Sequence, residues 1–319
     1  MSTKSEMLNL LNDSLGQFIS GQQIADRLQV SRNAVWKAAA ALKREGYEVE
    51  SKTGSGYRLI GSTDVLSLES VQRFLNAPVD LQVYQSVTST NDLMKLETLS
   101  HRPIAIIANK QTSGRGRLGR SFLSPGGTGL YLTIGLQPSF RLDQSLFVTM
   151  ACAVAACRAI QTVCGIEPSI KWVNDIYYNG RKTCGILTEA TTNLETGQID
   201  GLIIGTGINC FPGSFPEEIS HIAGPLSEEP GSFSRSRLAA ELINETYALL
   251  SDVESRSFLD EYRRRCFIIG RRILIHPTYD EEGIPAVATG ISDDGGLMVE
   301  YPDGRREILH TGEISVTVI

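Results

Sequence analysis

The sequence predicts a multi-domain α/β protein, and three changes of texture along its 319 residues carry that prediction. Up to residue 62, short amphipathic helices lead into a hairpin. From about Leu68 to Arg265 helices and strands alternate, the pattern of a mixed α/β domain. From about Ile268 short strands follow one another, joined by "DDGG" and "DG" turns with no helix between them. That is the pattern of a small β-barrel. A chain of this length holds about two or three domains. The boundaries fall at 1–62, 67–265 and 266–319, with "IGSTDVLS" (60–67) as a linker.

In the first part "KSEMLNLLND" has helical periodicity. Ser20 is placed to cap a short helix with Ile24, Ala25 and Leu28 on one face, "QVS" makes a turn, and Ser31 caps a second helix running to about Arg44. Gly46 ends that helix, and "YEVE" and "GYRLI" flank the turn "SKTGSG" as two strands. Two helices across a three-residue turn, followed by a hairpin, describe a winged helix-turn-helix. Small Ala25 allows close approach of the helices, with Val30 and Val35 inside the crossing; Gln29 stands where the turn usually has glycine. Ser31, Arg32, Asn33 and Lys37 lie where side chains reach base edges and phosphates in a major groove, and Lys52 and Arg58 on the wing suit phosphates. The alternative is a winged helix used only for packing or protein contact.

Charge supports an anionic partner for this part. The first 60 residues hold eight Lys or Arg against six acids, whereas the whole chain carries −6. Six cysteines (152, 157, 164, 184, 210, 266) form no C-x-x-C and sit among apolar residues, so buried free thiols in a reducing cytosol are expected. Four scattered histidines offer no metal cluster. No signal peptide is read. "LFVTMACAVAACRAI" is too short to span a bilayer, contains Arg158, and reads as a buried helix.

The central domain holds three islands of chemistry. "GRGRLGR" (114–120) spells G-x-G-x-x-G, the dinucleotide fingerprint, which requires a strand before and a helix after. "IAIIA" precedes it as a strand, but "SPGGTGLYLTIGL" follows, and its Pro and Gly residues lead into another strand. The loop also carries Arg115, Arg117 and Arg120, forks that suit phosphate. A phosphate-bearing ligand other than a classically bound dinucleotide is expected. The second island, "SVTSTND", brings Ser89, Thr90 and Asn91 to a helix start, where they are either an ordinary cap or donors to a polar ligand. The third, "SIKWVNDIYYNGRKTCGILTEA", contains Asn179-Gly180, the signal of a type I′ hairpin. An unbroken register would set Asp175 opposite Cys184 and Tyr177 opposite Lys182. Asp175, Lys182 and Lys171 would then share a face, the first two as diagonal neighbours about 7–8 Å apart at Cβ. That spacing is too wide for a tight ion pair and leaves room for a phosphate or Mg²⁺.

Taken in order after a winged helix, "STN", "QTSGRGRLGR", "KWVNDIYYNGRK.CGIL" and "GTGIN" resemble the biotin protein ligases that are also repressors of the biotin operon, over essentially the whole chain. The resemblance implies a central ligase domain and a C-terminal SH3-like barrel. It implies attack of biotin carboxylate on the α-phosphate of ATP, giving biotinyl-5′-AMP, then transfer to a lysine of a biotin carboxyl carrier protein. It implies a loop that folds over the adenylate and shields it from water. By the same resemblance Ser89, Thr90, Asn91, Gln111, Gly114, Arg115, Gly116, Arg117, Lys182, Gly185 and Asn209 contact biotin or the adenylate. Lys182, Arg117 and Asp175 act in catalysis, Asp175 by serving Mg²⁺, and Phe122 stands where the family often has a Trp on adenine. It also implies operator DNA as partner, a homodimer when the adenylate is bound, a cytoplasmic location and no membrane. Val173, Thr206 and Thr317 depart from the usual Pro, Ile and basic residue. A sensor without turnover and a lipoate-type ligase are the competing readings.

Overall fold

The computed structural model describes residues 2–60, 64–138, 145–192, 199–213, 215–276, 283–310 and 315–318. The first domain opens with helix α1 (Thr3–Asp13), then α2 (Gly21–Leu28) and α3 (Arg32–Arg44). Ser20 and Gln23 exchange hydrogen bonds as a capping box, and Ser31 Oγ accepts from Ala34 N at 3.2 Å, so both helix starts fall where the caps predict. The turn between them needs a left-handed residue, and Gln29 supplies it at φ 54°. Here the usual glycine has a reason, because a side chain in this region is strained. Gly46 ends α3 at φ +96°. Ala25, Val35, Ala38 and Leu42 bury against Met7, Leu8 and Leu11 of α1. The wing is strands β1 (Val49–Lys52) and β2 (Gly56–Leu59), paired antiparallel. A Cβ at Gly56 would lie 2.0 Å from the Ile19 carbonyl oxygen, so only glycine lets the wing seat against the entry to α2.

The central domain follows through α4 (Leu68–Gln72), β3 (Asp80–Tyr84), α5 (Thr90–Met94), β4 (Ile104–Ala108), β5 (Gly129–Leu136) and α6 (Ser145–Cys164). Strands β6 (Ser169–Lys171), β7 (Asp175–Tyr178), β8 (Arg181–Thr192) and β9 (Ile199–Asn209) complete a seven-stranded sheet, order β3-β4-β5-β9-β8-β7-β6. Only β3 and β4 are parallel; the other neighbours are antiparallel. Helices α7 (Glu217–Ser220), α8 (Arg235–Ser251) and α9 (Leu259–Arg265) follow. The expected buried helix is α6, packed with α8 in the main core. By length and composition alone it could cross a membrane, yet its apolar surface is largely buried in the protein. Its one charge, Arg158, pairs with Glu261 at 2.7 Å and Glu245 at 3.2 Å. Five of the six cysteines are buried and Cys164 is half-buried, all with free thiols.

The linker is less free than composition suggests. Residues 61–63 lie outside the described residues, but Asp64 and Val65 are bonded to the start of α8, and Tyr47 of the first domain reaches Ser67 Oγ at 2.8 Å. The C-terminal part has β10 (Arg272–His276), β11 (Ile284–Ile291), β12 (Leu297–Glu300), β13 (Arg306–Leu309) and β14 (Ser315–Val318), all antiparallel in the order β13-β12-β11-β10-β14. Among the described residues β13 and β14 do not pair, so the expected small barrel is an open, SH3-like five-stranded sheet. Trp172 Nε1 donates to Gly295 O at 3.1 Å, tying this sheet to the central domain. Val173, in the place of the usual Pro, is buried, and its carbonyl accepts from Tyr262 OH at 3.1 Å. Thr317 lies exposed on β14.

Candidate functional site

One cleft in the central domain gathers most of the residues singled out from sequence. Its polar wall is the start of α5. Ser89 Oγ accepts from Asp92 N at 3.3 Å, an ordinary N-cap, while the residue also lines the cleft. Gln111 Oε1 accepts from Thr90 N at 2.8 Å and from its hydroxyl at 3.0 Å. Asn91 Oδ1 lies 2.6 Å from Thr133 Oγ1, and Asn91 Nδ2 donates to Glu189 at 2.7 Å. Ser89, Thr90, Asn91 and Thr133 are all buried. Such a network fixes the donors and acceptors that a polar ring would meet.

The floor comes from alternate residues of β9. Gly205 and Gly207 share a face, and a Cβ at either would strike Asn91 Oδ1 (2.3 Å) or the Phe122 ring (2.5 Å). Sequence reasoning missed both as site residues. The signal was the alternation of glycine in "GTGIN", which leaves one face of a strand bare. Asn209, expected in the site, is instead paired opposite Gly129 in the sheet and lies outside the cleft lining. Gly114 also lies outside it. A Cβ there would meet Phe122 O at 2.3 Å, so this glycine serves the loop's own folding.

The charged end corrects the expected register. Tyr178 faces Arg181 and Tyr177 faces Lys182, as the Asn179–Gly180 turn predicts. A bulge then shifts the pairing, so that Asp175 faces Gly185 rather than Cys184. The expected gap between Asp175 and Lys182 closes as well: Nζ lies 2.6 Å from Oδ1. Gly185 is the reason. Built as alanine, its Cβ would lie 3.3 Å from Lys182 Cε and Nζ, so the lysine stem runs over a glycine to reach the carboxylate beyond. Asp175 Oδ1 is buried and accepts no aligned hydrogen bond despite that ion contact.

Cations outnumber the carboxylate here. Lys171, Lys182, Arg117 and Arg120 line the same end as Asp175. Burial lowers the Lys171 pKa, with Asp175 opposing and Lys182 reinforcing the shift. Burial also lowers that of Arg117, against the attraction of Asp175. Arg117 Nη1 donates to Asn174 Oδ1 at 3.1 Å, and Arg115 pairs with Asp92 at 3.1 Å. Gly116 and Phe122 line the cleft from the same loop, where a 3-10 turn (Arg117–Gly119) follows Gly116. A polar wall, a bare floor and a positive end suit an uncharged ring joined to an anionic, phosphate-like group. Among the described residues no three His, Cys, Asp or Glu side chains converge on a metal site.

On the first domain, Ser31, Arg32, Asn33 and Lys37 are exposed along one end of α3, and Lys52 is exposed on the wing. Trp36, not foreseen, stands among them 60 % exposed. Arg58 is less available. Its Nε donates to Glu50 at 2.6 Å and its guanidinium lies over the Phe18 ring at 4.6 Å.

The fold and cleft together define a class: a DNA-reading module fused to an enzyme domain that handles an anionic ligand. Comparison with known proteins narrows it. Residues 3–58 match a helix-turn-helix domain, 83–209 the biotin/lipoate A/B protein ligase family, and 269–316 the biotin protein ligase C-terminal domain. The bifunctional ligase/repressor BirA of Bacillus spizizenii is 38% identical over 314 residues, 96% of each chain. That of Escherichia coli is 29% identical over 94% of each. The Aquifex aeolicus biotin protein ligase, solved in complex with biotin and ATP, superposes with a TM-score of 0.65 at 28% identity, over 75% of this chain and 99% of that one. The chain belongs to the family of bifunctional biotin protein ligase/repressors.

Proposed function

We infer that this chain adenylates biotin with ATP, transfers the biotinyl group to a lysine of a biotin carboxyl carrier protein, and represses biotin-synthesis genes when the adenylate is bound. The observation that carries the reading is the single cleft joining the Ser89–Asn91/Gln111 wall to the Lys171, Lys182 and Arg117 cations. Biotin's ureido ring sits against the wall, above Gly205 and Gly207, with its carboxylate directed to the positive end. The carboxylate oxygen attacks the α-phosphorus and pyrophosphate leaves. Lys182 stabilises the charge that builds on the α-phosphate, and Arg117 and Arg115 close over the product with Gly116. The acceptor lysine then attacks the acyl carbon and AMP leaves. Gly185 keeps the Lys182 stem in place, Phe122 stacks on adenine, and Gly114 and Asn209 act by holding loop and strand in shape. Asp175 is the carboxylate at the positive end, its Oδ1 meeting only the Lys182 ammonium at 2.6 Å among the described residues, and it would hold Mg²⁺ that arrives already held by ATP phosphates.

DNA contact falls to Ser31, Arg32, Asn33 and Lys37 in the major groove and Lys52 on the backbone. Arg58 reaches a phosphate only by leaving Glu50. A homodimer of adenylate-bound chains grips a two-fold operator, and the protein works in the cytoplasm without a membrane. The test is one incubation with Mg-ATP and equal biotin and lipoate, followed by denaturation and mass analysis. Biotinyl-AMP alone is expected; lipoyl-AMP places the chain on the lipoate branch, and neither adenylate leaves a sensor without turnover. Operator binding that ignores biotin and ATP would sink the repressor half.

A further inference from the structure

The loop 109–128 carries the cleft's arginines, Gln111 and Phe122, so what fixes its two ends fixes the site. Both ends meet one side chain. Arg235, the first residue of α8, is buried with its side chain 5% exposed. Its Nη1 donates to Asn109 Oδ1 at 3.0 Å, at the loop's start, and to Gly129 O at 2.9 Å, just past its end. Asn109 Oδ1 also accepts from Gly127 N at 3.2 Å, which draws the returning limb inward.

The other edge of the same guanidinium belongs to the segment leading from the DNA-reading domain. Arg235 Nε pairs with Asp64 Oδ2, Arg235 N donates to Asp64 Oδ1 at 2.7 Å, and Nη2 to Asp64 O at 3.1 Å. Ser236 Oγ donates to Val65 O at 3.0 Å, and Val65 packs on the core of the first domain. A guanidinium's planar, fixed donors serve three chain segments at once, which a lysine's single ammonium cannot.

We propose that Arg235 is a positioning residue for the ligand loop, and that Asp64, its counter-ion in the interdomain linker, sets the loop's shape and thereby the affinity for biotin. The cleft and the linker are then two sites linked through one buried ion pair, so a change at the linker is felt at the ligand. The proposal rests on the biotin-adenylating reading for its probe.

The test uses the full chain with Asp64→Asn, Asp64→Glu, Arg235→Lys and, as control, Arg73→Ala. The control severs a different interdomain pair, Arg73–Asp13 at 2.9 Å, away from Arg235. Two quantities are read: KM for biotin and kcat in adenylate synthesis, and tryptic cleavage after Arg115, Arg117 and Arg120 with and without biotin and Mg-ATP. Asp64→Asn is expected to raise KM about five-fold or more while kcat stays within about two-fold, and to lose most of the ligand's protection of the loop. Asp64→Glu restores both in part, and Arg73→Ala leaves both at wild type. Should Asp64→Asn not fold, Arg235→Lys, which keeps the charge and loses the fork, decides by the same two readings. Wild-type KM and protection in Asp64→Asn overturn the proposal, as does an equal effect from Arg73→Ala. A wild-type protein that makes no adenylate and shows no protection by biotin overturns the functional reading instead.

Discussion

Alanine at Gly205 and at Gly207 is the same chemical change two residues apart on one strand, yet the two are expected to fail differently. At 205 the new Cβ lies 2.3 Å from Asn91 Oδ1 and 3.0 Å from its Cγ and Nδ2. Asn91 is held on one side by Thr133 at 2.6 Å and on the other by Glu189 at 2.7 Å, so it clears the methyl only by giving up a partner inside a buried wall. A buried polar group deprived of its partner costs about 1–3 kcal/mol. If Asn91 positions biotin, that loss appears as a KM for biotin raised on the order of 10- to 100-fold. It also appears as a melting temperature lower by roughly 2–4 °C per kcal/mol. At 207 the methyl meets the Phe122 ring at 2.5 Å, and an apolar ring can turn aside without giving up a hydrogen bond. Gly207→Ala should keep its melting temperature and its KM for biotin within about three-fold, and raise KM for ATP instead. Steady-state adenylate synthesis with each substrate varied, beside thermal melts, separates the two. A Gly205→Ala protein with wild-type KM for biotin and unchanged melting would refute the placement of biotin against Asn91.

Three further expectations are simpler. Lys182→Ala should lower kcat for adenylate formation by about 10²–10³-fold, as loss of a group acting on developing charge does, with biotin still bound in calorimetry; full-rate turnover would remove Lys182 from catalysis. Gln29→Gly relieves a left-handed side chain and should stabilise the first domain by about 1 kcal/mol, read as a higher melting temperature; a lower one would mean the Gln29 side chain is needed. Glu189 is raised in pKa by burial but lowered more by hydrogen bonds from Lys95 and Asn91, so its net pKa lies below the usual 4.5. Its contribution is therefore fully present above pH 4.5 and is lost as pH falls through the lower folded value, and biotin affinity should weaken in that acid range. Affinity unchanged there in Glu189→Gln and wild type alike would separate Asn91 from this carboxylate.

The parts of the fold that read directly were those set by local chemistry. Ser20 and Ser31 cap helices because an oxygen before a helix meets free N–H groups, and Asn179–Gly180 turns a hairpin because both residues accept positive φ. Where non-local contacts decide, sequence was silent. A period of two cannot show the bulge after Ile176, which sets Asp175 opposite Gly185, nor that this glycine leaves the Lys182 stem room to reach the carboxylate. Gly205 and Gly207 were visible as glycines, but their meaning depends on Asn91 and Phe122, more than 80 residues away in the chain. Asp64 sat within an apparent linker because its partner, Arg235, lies 171 residues further on. The cations read as ligand-binding because arginine among glycines has few other uses at that density, whereas the hydroxyl island read either as a helix cap or as ligand donors, and Ser89 both caps α5 and lines the cleft.

The cysteines lend the molecule a property unrelated to its chemistry. Burial pushes the thiols of Cys152, Cys157, Cys164 and Cys266 up to about 12, so scarcely any thiolate exists near neutrality. All six cysteines fall at residue 152 or later, and none lies in the helix-turn-helix domain. An alkylating reagent therefore meets reactive sulfur chiefly when the enzyme half opens, and it is blind to opening of the DNA-reading half. The chain carries its own one-sided clock of unfolding, able to time the departure of one domain from order while the other goes unrecorded.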